Sequence, residues 1–174
     1  MEIDITSVDV RLFTPDDDIS TLTSLLHRAY AQLGEMGWQF KAVDQSDDVT
    51  RQRLDAGECY VAVAGGNLVG TVLYVPPPRT RGTPWLDRPD VASLHQLGVD
   101  PALQGSGLGT RLMKYAEARA ANCGASEIAL DTAEPATHLQ DWYISRGYRP
   151  IEFAQWAHTN YRSIIMSKPL GESA

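Results

Sequence analysis

Three glycines fall within the segment Gln104-Gly105-Ser106-Gly107-Leu108-Gly109-Thr110, which follows an apolar run ending at Val99 and precedes a helical pattern. Glycine admits positive φ and leaves no Cβ in the path of a ligand. The first amides of a helix lack intrahelical partners, and the helix dipole adds partial positive charge there. Such a turn forms an anion cradle suited to a pyrophosphate, although glycines alone also fit a structural crossover. The ATP/GTP P-loop is excluded because no Gly-Lys-Ser/Thr follows. The dinucleotide fingerprint needs G-x-G-x-x-G, whereas the spacing here is G-x-G-x-G. A methyltransferase-type turn has that spacing but heads a long parallel sheet, for which too little chain follows Gly109. A phosphate-bearing cofactor held without lysine or metal fits best.

The elements that must position this turn can be read from hydrophobic period and turn residues. Residues 8–13 alternate apolar and polar as a half-buried strand does. Pro15 and the cluster Asp16-Asp17-Asp18 mark a helix start, and Ile19, Leu22, Leu25, Leu26 and Ala29 recur at helical spacing toward Gly34. Met36, Trp38 and Phe40 lie in a loop, and 48–56 reads as a second, short helix. Strands at 59–64 and 68–75 flank Gly65-Gly66-Asn67, a hairpin signal. Pro76-Pro77-Pro78 ends the second of them. The polar loop 79–89 carries Trp85, either a substrate wall or a packing lid. A strand at 91–99 runs into the glycine turn. A helix carrying Leu112, Ala116 and Ala120 follows and ends at Asn122 or Gly124. A short buried strand at 127–131 precedes a helix with Pro135 at its first position, carrying Leu139, Trp142 and Tyr143 and stopping at Gly147. Strands at 151–157 and 161–168, the latter with alternating sides, close the chain. This order predicts one mixed α/β (α+β) domain over 8–170, a mostly antiparallel sheet flanked by helices, with a loose tail at 171–174.

Composition narrows the function. The chain of 174 residues has 15 Lys+Arg against 22 Asp+Glu, a net charge of −7. Acidity on this scale argues against nucleic acid or an anionic membrane as partner, and weakly favours a cationic acceptor. Two cysteines, Cys59 and Cys123, make neither a disulfide framework nor a metal quartet, and no other spacing suggests metal. They read as free thiols of a reducing compartment, with Cys123 buried at a helix end. No secretory h-region or run of about 20 apolar residues is visible, so the expected location is cytoplasmic.

The string Leu94-His95-Gln96-Leu97-Gly98-Val99-Asp100-Pro101, continued by Gln104 to Gly109, resembles motif A of the GNAT superfamily of acyl-CoA N-acyltransferases. That motif is Gln/Arg-x-x-Gly-x-Gly/Ala, matched by Gln104, Gly107 and Gly109. Trp142-Tyr143-Ile144-Ser145-Arg146-Gly147-Tyr148 resembles motif B. With the hairpin and closing strands in family order, the resemblance covers about 8–170. It departs at Ala136, where many members carry an Asn that holds the pantetheine arm; His138 and Thr132 are candidate substitutes.

The resemblance implies acetyl-CoA as cosubstrate and direct, ternary-complex acetyl transfer to a primary amine of a small molecule or peptide. The pyrophosphate would rest on amides of Gln104, Gly105, Ser106, Gly107, Leu108, Gly109 and Thr110. The pantetheine arm would add like a strand to the backbone of Leu97, Gly98 and Val99, with Gly98 marking a bulge. Tyr143 matches the proton donor to the departing sulfur; its structural reading is an aromatic packed between Leu139 and Tyr148. His95, with the strand parity of Leu97 and Val99 and an ordinary pKa near 6.5, is the candidate base, and a satisfied structural histidine is its alternative. Asp131, Glu134 or ordered water could serve instead, while Glu58 reads as solvated. Tyr161 and Arg162 could border the acceptor pocket. Nothing places a His and an acid beside either cysteine, which disfavours a ping-pong route. Relatives are often homodimers, and this by analogy is the expected assembly. The competing class is a non-catalytic acyl-CoA-binding or sensing module.

Overall fold

Asp18 opens the first helix by accepting the Ser20 amide on its carboxylate, one of the donors a helix start leaves unpaired. This computed structural model describes residues 3–171, so Met1-Glu2 and residues 172–174 of the expected 171–174 tail lie outside the described residues. Strand β1 (Asp9–Leu12) precedes helix α1 (Ile19–Glu35), after which Gly37 turns the chain at φ 91°. Helix α2 (Asp47–Leu54) is capped by Ser46. Strands β2 (Glu58–Ala64) and β3 (Asn67–Val75) form the expected hairpin, with Gly65 and Gly66 both at positive φ. The remainder is β4 (Val91–Val99), α3 (Leu108–Asn122), β5 (Glu127–Ala133), α4 (Thr137–Ile144), β6 (Arg149–Ala154) and β7 (Ser163–Pro169). The sheet order is β1-β2-β3-β4-β5-β7-β6, and only β4 and β5 run parallel. This is the mixed, mostly antiparallel architecture expected from the sequence.

The sheet is covered on both faces. Leu108, Leu112, Met113, Ala116 and Ala120 of α3 pack with Ala62, Val72 and Leu94 on one side. Leu22, Leu25 and Leu26 of α1 pack with Val61, Leu73 and Val75 on the other. Alternate residues of β2 and β3 therefore serve two different helices, which is why β3 is buried almost throughout.

Several local expectations are corrected. β5 extends past Asp131 to Ala133 because β7 pairs with it along its whole length. Pro135 lies in the turn before α4, where the Ala136 amide bonds back to the Ala133 carbonyl, and Ala136 is the cap. β7 is buried on both faces from Ser163 to Ser167 rather than alternating. Trp85 is a packing lid, lying beside the Leu86, Val91 and Ile165 cluster with the Arg88 guanidinium 4.2 Å from its ring centre. Cys123 is exposed, because it caps α3 where the chain leaves the core, whereas Cys59 is buried.

One irregularity matters more than these. β4 and β5 pair only at Val91↔Glu127, Ala92↔Ile128 and Ser93↔Ala129. Beyond that point β4 follows β3 to Val99 and β5 follows β7, so the sheet opens. Where β4 opens it carries a bulge: Thr71 faces Gly98 and Leu73 faces His95, which leaves Val72 opposite both Gln96 and Leu97. Gln96 takes φ 53°. The bulge is thus at Gln96 and not at Gly98. Its side chain explains the choice: Gln96 Oε1 accepts from Gln45 Nε2 at 2.9 Å inside a buried polar network, which holds the residue in an otherwise disfavoured conformation. Gly98 serves a different end. A Cβ there would stand 3.0 Å from the Ala29 Cβ, so glycine lets α1 lie close against β4. Gly98→Val is expected to destabilise the fold by about 1–3 kcal/mol through overpacking. Urea unfolding would show this as a lowered midpoint at unchanged slope; an unshifted midpoint would mean that α1 does not press on β4.

Candidate active site

A cavity of about 740 Å³ occupies the opening between β4 and β5. Its walls come from α1, the 40–42 segment, Arg53 of α2, Arg81 and Leu86 of the loop before β4, β4 itself, the glycine turn, β5, α4 and the 156–161 loop. Of the expected cofactor residues, Leu97, Gly98, Val99, Gln104, Gly105, Gly107, Gly109 and Thr110 line it. Ser106 and Leu108 do not. The Ser106 hydroxyl accepts the Leu108 amide at 3.4 Å, and the Leu108 side chain belongs to the core.

The turn is built as an open cradle. Gly105 and Gly107 have φ 83° and 91°, and a Cβ on either would meet no atom within 4 Å. Glycine is needed here for its backbone conformation, and the surrounding space is free. The Ser106 amide bonds back to Leu103, and Arg111 bonds to Gly107. Among the described residues, no hydrogen bond engages the amides of Gly105, Gly107, Gly109 or Thr110. Four unpaired N–H groups at a helix start form a set of anion donors. A cation that the sequence reading missed stands beside them. Arg146 donates through Nε to Thr110 Oγ1 at 2.8 Å and lies 3.8 Å over the Trp142 ring. Its place in the motif B string was the available signal, since only the fold brings α4 to the start of α3.

Further along β4, the Leu97 carbonyl accepts the Tyr30 hydroxyl at 2.8 Å, and the Val99 carbonyl accepts Gln104 Nε2 at 3.2 Å. Ala136 is completely buried and offers no polar group to the cavity. Thr132 lines the cavity, is 2% exposed, and has a buried Oγ1 without a partner; His138 lines it while stacked on Trp38.

Tyr143 and His95 both line the cavity, the first from α4 and the second from β4. Tyr143 packs edge-on to Trp142 and Tyr148, and no hydrogen bond of its hydroxyl is present among the described residues. Burial, aided by the neighbouring Tyr30 and Asp131 charges, holds its pKa far above the ordinary phenol range, so it keeps its proton. For His95, burial pushes the pKa down to about 4; Asp131 opposes this and Arg53 adds to it. Its Nε2 lies 2.8 Å from Ser93 Oγ, which lies 2.9 Å from Thr80 Oγ1, and Thr80 reaches the Val75 and Pro76 carbonyls. The arrangement that satisfies most acceptors has Thr80 donating to a carbonyl, Ser93 to Thr80, and His95 Nε2–H to Ser93. Nδ1 is then the ring's free acceptor.

Among the described residues, Asp131 is the sole carboxylate lining the cavity, and its Oδ2 accepts Trp156 Nε1 at 3.0 Å. The other candidate acids are engaged elsewhere: Glu134 pairs with Arg162 and Glu58 with Arg119, neither lining the cavity. Glu58 is therefore half-buried and paired rather than solvated. Tyr161 lines the cavity and Arg162 does not. No group of three or more His, Cys, Asp or Glu among the described residues could hold a metal, and no described helix is long and apolar enough to cross a membrane.

Comparison with known proteins fits this geometry. Residues 21–163 match the acetyltransferase (GNAT) family. The chain belongs to that family. A mycothiol acetyltransferase of Sanguibacter keddieii is 31% identical over 142 residues, which are 81% of this chain and 43% of that protein. The chain thus spans less than half the length of that relative. Two solved structures share the GNAT fold. The Escherichia coli ribosomal-protein-S18-alanine N-acetyltransferase has a TM-score of 0.71 at 16% identity, covering 96% of both chains. A GNAT acetyltransferase of Elizabethkingia anophelis, solved with acetyl-CoA bound, has a TM-score of 0.67 at 18% identity, covering 94% of this chain and 99% of its own.

The depressed His95 has a consequence for stability. Between its folded pKa of about 4 and the ordinary 6.5, the unfolded chain binds more protons, so stability falls as pH falls through that window. One such group contributes at most about 1.4 kcal/mol per pH unit. His95→Gln should flatten the decline of unfolding free energy between about pH 6.5 and 4.5; an unchanged slope would mean that His95 is not buried in neutral form.

Proposed function

We propose that this chain is an acetyl-CoA-dependent N-acetyltransferase that acts on the primary amine of a small molecule or peptide within a ternary complex. The observation that carries this reading is that the unpaired amides of the glycine turn open into the same cavity that Tyr143, His95 and Asp131 line. Gly105, Gly107, Gly109 and Thr110 would hold the pyrophosphate through their amides, with the Arg146 charge beside them. The free edge of β4 along Leu97, Gly98 and Val99 would receive the pantetheine arm, and the unpartnered Thr132 hydroxyl would serve where Ala136 offers nothing. When bound, acetyl-CoA supplies a thioester whose acetyl carbon bonds to the amine nitrogen as its C–S bond breaks.

Asp131 draws the acceptor's ammonium into the cavity. The amine attacks in its neutral form, and His95, neutral above about pH 4, accepts on Nδ1, directly or through water, the proton that the nitrogen sheds as its bond to the acetyl carbon forms. Tyr143 gives its phenolic proton to the departing sulfur. Burial keeps the phenol protonated until the thiolate forms beside it. A bare acyl-CoA sensor would need only the cradle, and the titratable groups gathered at the far end of the cavity favour the enzyme.

Tyr143→Phe is expected to lower kcat by roughly 100-fold or more while leaving the acetyl-CoA Kd within about threefold. The check pairs initial-rate kinetics with calorimetric titration. Equal loss of both quantities would count against the acid role, and saturable acetyl-CoA binding without thiol release on any amine would favour the sensor.

A further inference from the structure

The charges around the cavity are distributed unlike those of the rest of the molecule. Eight cationic side chains are ion-paired among the described residues, and none of them lines the cavity. Lys41, Arg53, Arg81 and Arg146 do line it, and none of these four has a carboxylate partner. A chain of net charge −7 thus leaves unneutralised cations around a space holding one carboxylate. Arg146 belongs to the cradle. The other three do not.

Arg53 is the most constrained of them. It is half-buried, and its guanidinium donates one hydrogen bond, from one terminal nitrogen to Gln45 Oε1 at 2.8 Å. Gln45 is itself locked, donating to Thr50 Oγ1 and to Oε1 of the bulge residue Gln96. A guanidinium carries five donors, so four here have no protein acceptor among the described residues. Its Nε and its other terminal nitrogen are not among the sealed, unpartnered atoms, so both keep contact with open space. A second cavity of about 190 Å³ adjoins the first at Arg53, Arg81, Leu86 and His95, and it adds Arg79. Among the described residues, three arginines and no carboxylate line this annex. Asp131 lies within electrostatic range of Arg53, yet the two form no ion pair: Asp131 engages Trp156 and Arg53 engages Gln45. Space between a fixed anion and a fixed cation suits a ligand that carries both charges.

We infer that the acceptor is a small amine bearing a carboxylate, of the free amino-acid type, with its amino group toward Asp131 and its carboxylate held by Arg53 and Arg81. This rests on the acetyltransferase reading above and reverses the cationic acceptor suggested by overall acidity. Net charge describes the solvated surface, whereas the acceptor meets only the charges lining the cavity.

The test compares each amino acid of a panel with its own carboxamide, using the purified chain and acetyl-CoA. The native protein should acetylate the acid with a kcat/KM about 10- to 100-fold above the amide, the range expected of a charged hydrogen bond. The amide's less basic amine gives it the intrinsic advantage, so amine basicity cannot produce that order. Arg53→Gln should bring the ratio of acid to amide rates close to one, whatever it does to the rate on the amide. Arg53→Lys should restore part of it, and Arg81→Gln, on an exposed loop, should reduce it without affecting folding. Equal rates on acid and amide, or equal losses on both in Arg53→Gln, would overturn the inference. Calorimetric binding to the CoA-loaded protein separates the two proposals if nothing is turned over. Binding of the acid that exceeds the amide and is lost in Arg53→Gln upholds the ligand class while the transferase reading fails. Binding indifferent to the carboxylate rejects the ligand class.

Discussion

The parallel contact between β4 and β5 stops after three residue pairs, and the functional architecture follows from that stop. Each strand has a stronger commitment on its other side. β4 stays with β3 as far as Val99, and β5 stays with β7 for its full length. A twisted sheet whose members are held outward in this way must open on the inner side. The opening exposes backbone that would otherwise be paired and gives one continuous space, reaching from the glycine turn to the far end where His95, Asp131 and Arg53 gather.

Two further devices keep the opening in shape. Gly98 lets α1 approach so closely that Tyr30 caps the Leu97 carbonyl. The Gln96 bulge is held by a buried network running through Gln45 to Thr50 and Arg53. Buried polar chains of this kind are costly when incomplete and rigidifying when satisfied. Here the same chain that fixes the bulge also aims the Arg53 guanidinium. The geometry of β4 and the electrostatics of the cavity's far end are one arrangement.

Charge and desolvation act together in that space. Burial keeps Tyr143 protonated and His95 neutral across the neutral pH range. The salt bridges lie elsewhere, binding elements together: Glu127 with Arg149 ties β5 to the strand beyond β7, and Glu134 with Arg162 ties the end of β5 to the approach of β7. Among the described residues, the arginines and the lysine that line the cavity have no carboxylate partner.

Most of the fold was legible from local pattern. Alternation, helical period and turn glycines located every strand and helix to within a few residues, because those signals reflect burial of one face or the φ a turn requires. The cradle was legible for the same reason: Gly105 and Gly107 advertise a left-handed backbone just before a helix. The Gln96 bulge was not legible, since glutamine gives no local sign of positive φ and the partner that holds it lies 51 residues away. Nor were Arg146 beside Thr110, the burial of His95, the exposure of Cys123 or the clustering of Arg53, Arg79 and Arg81. Each depends on which surfaces meet after distant segments pack, and a linear chain carries no record of the dielectric or the neighbours that its side chains will find.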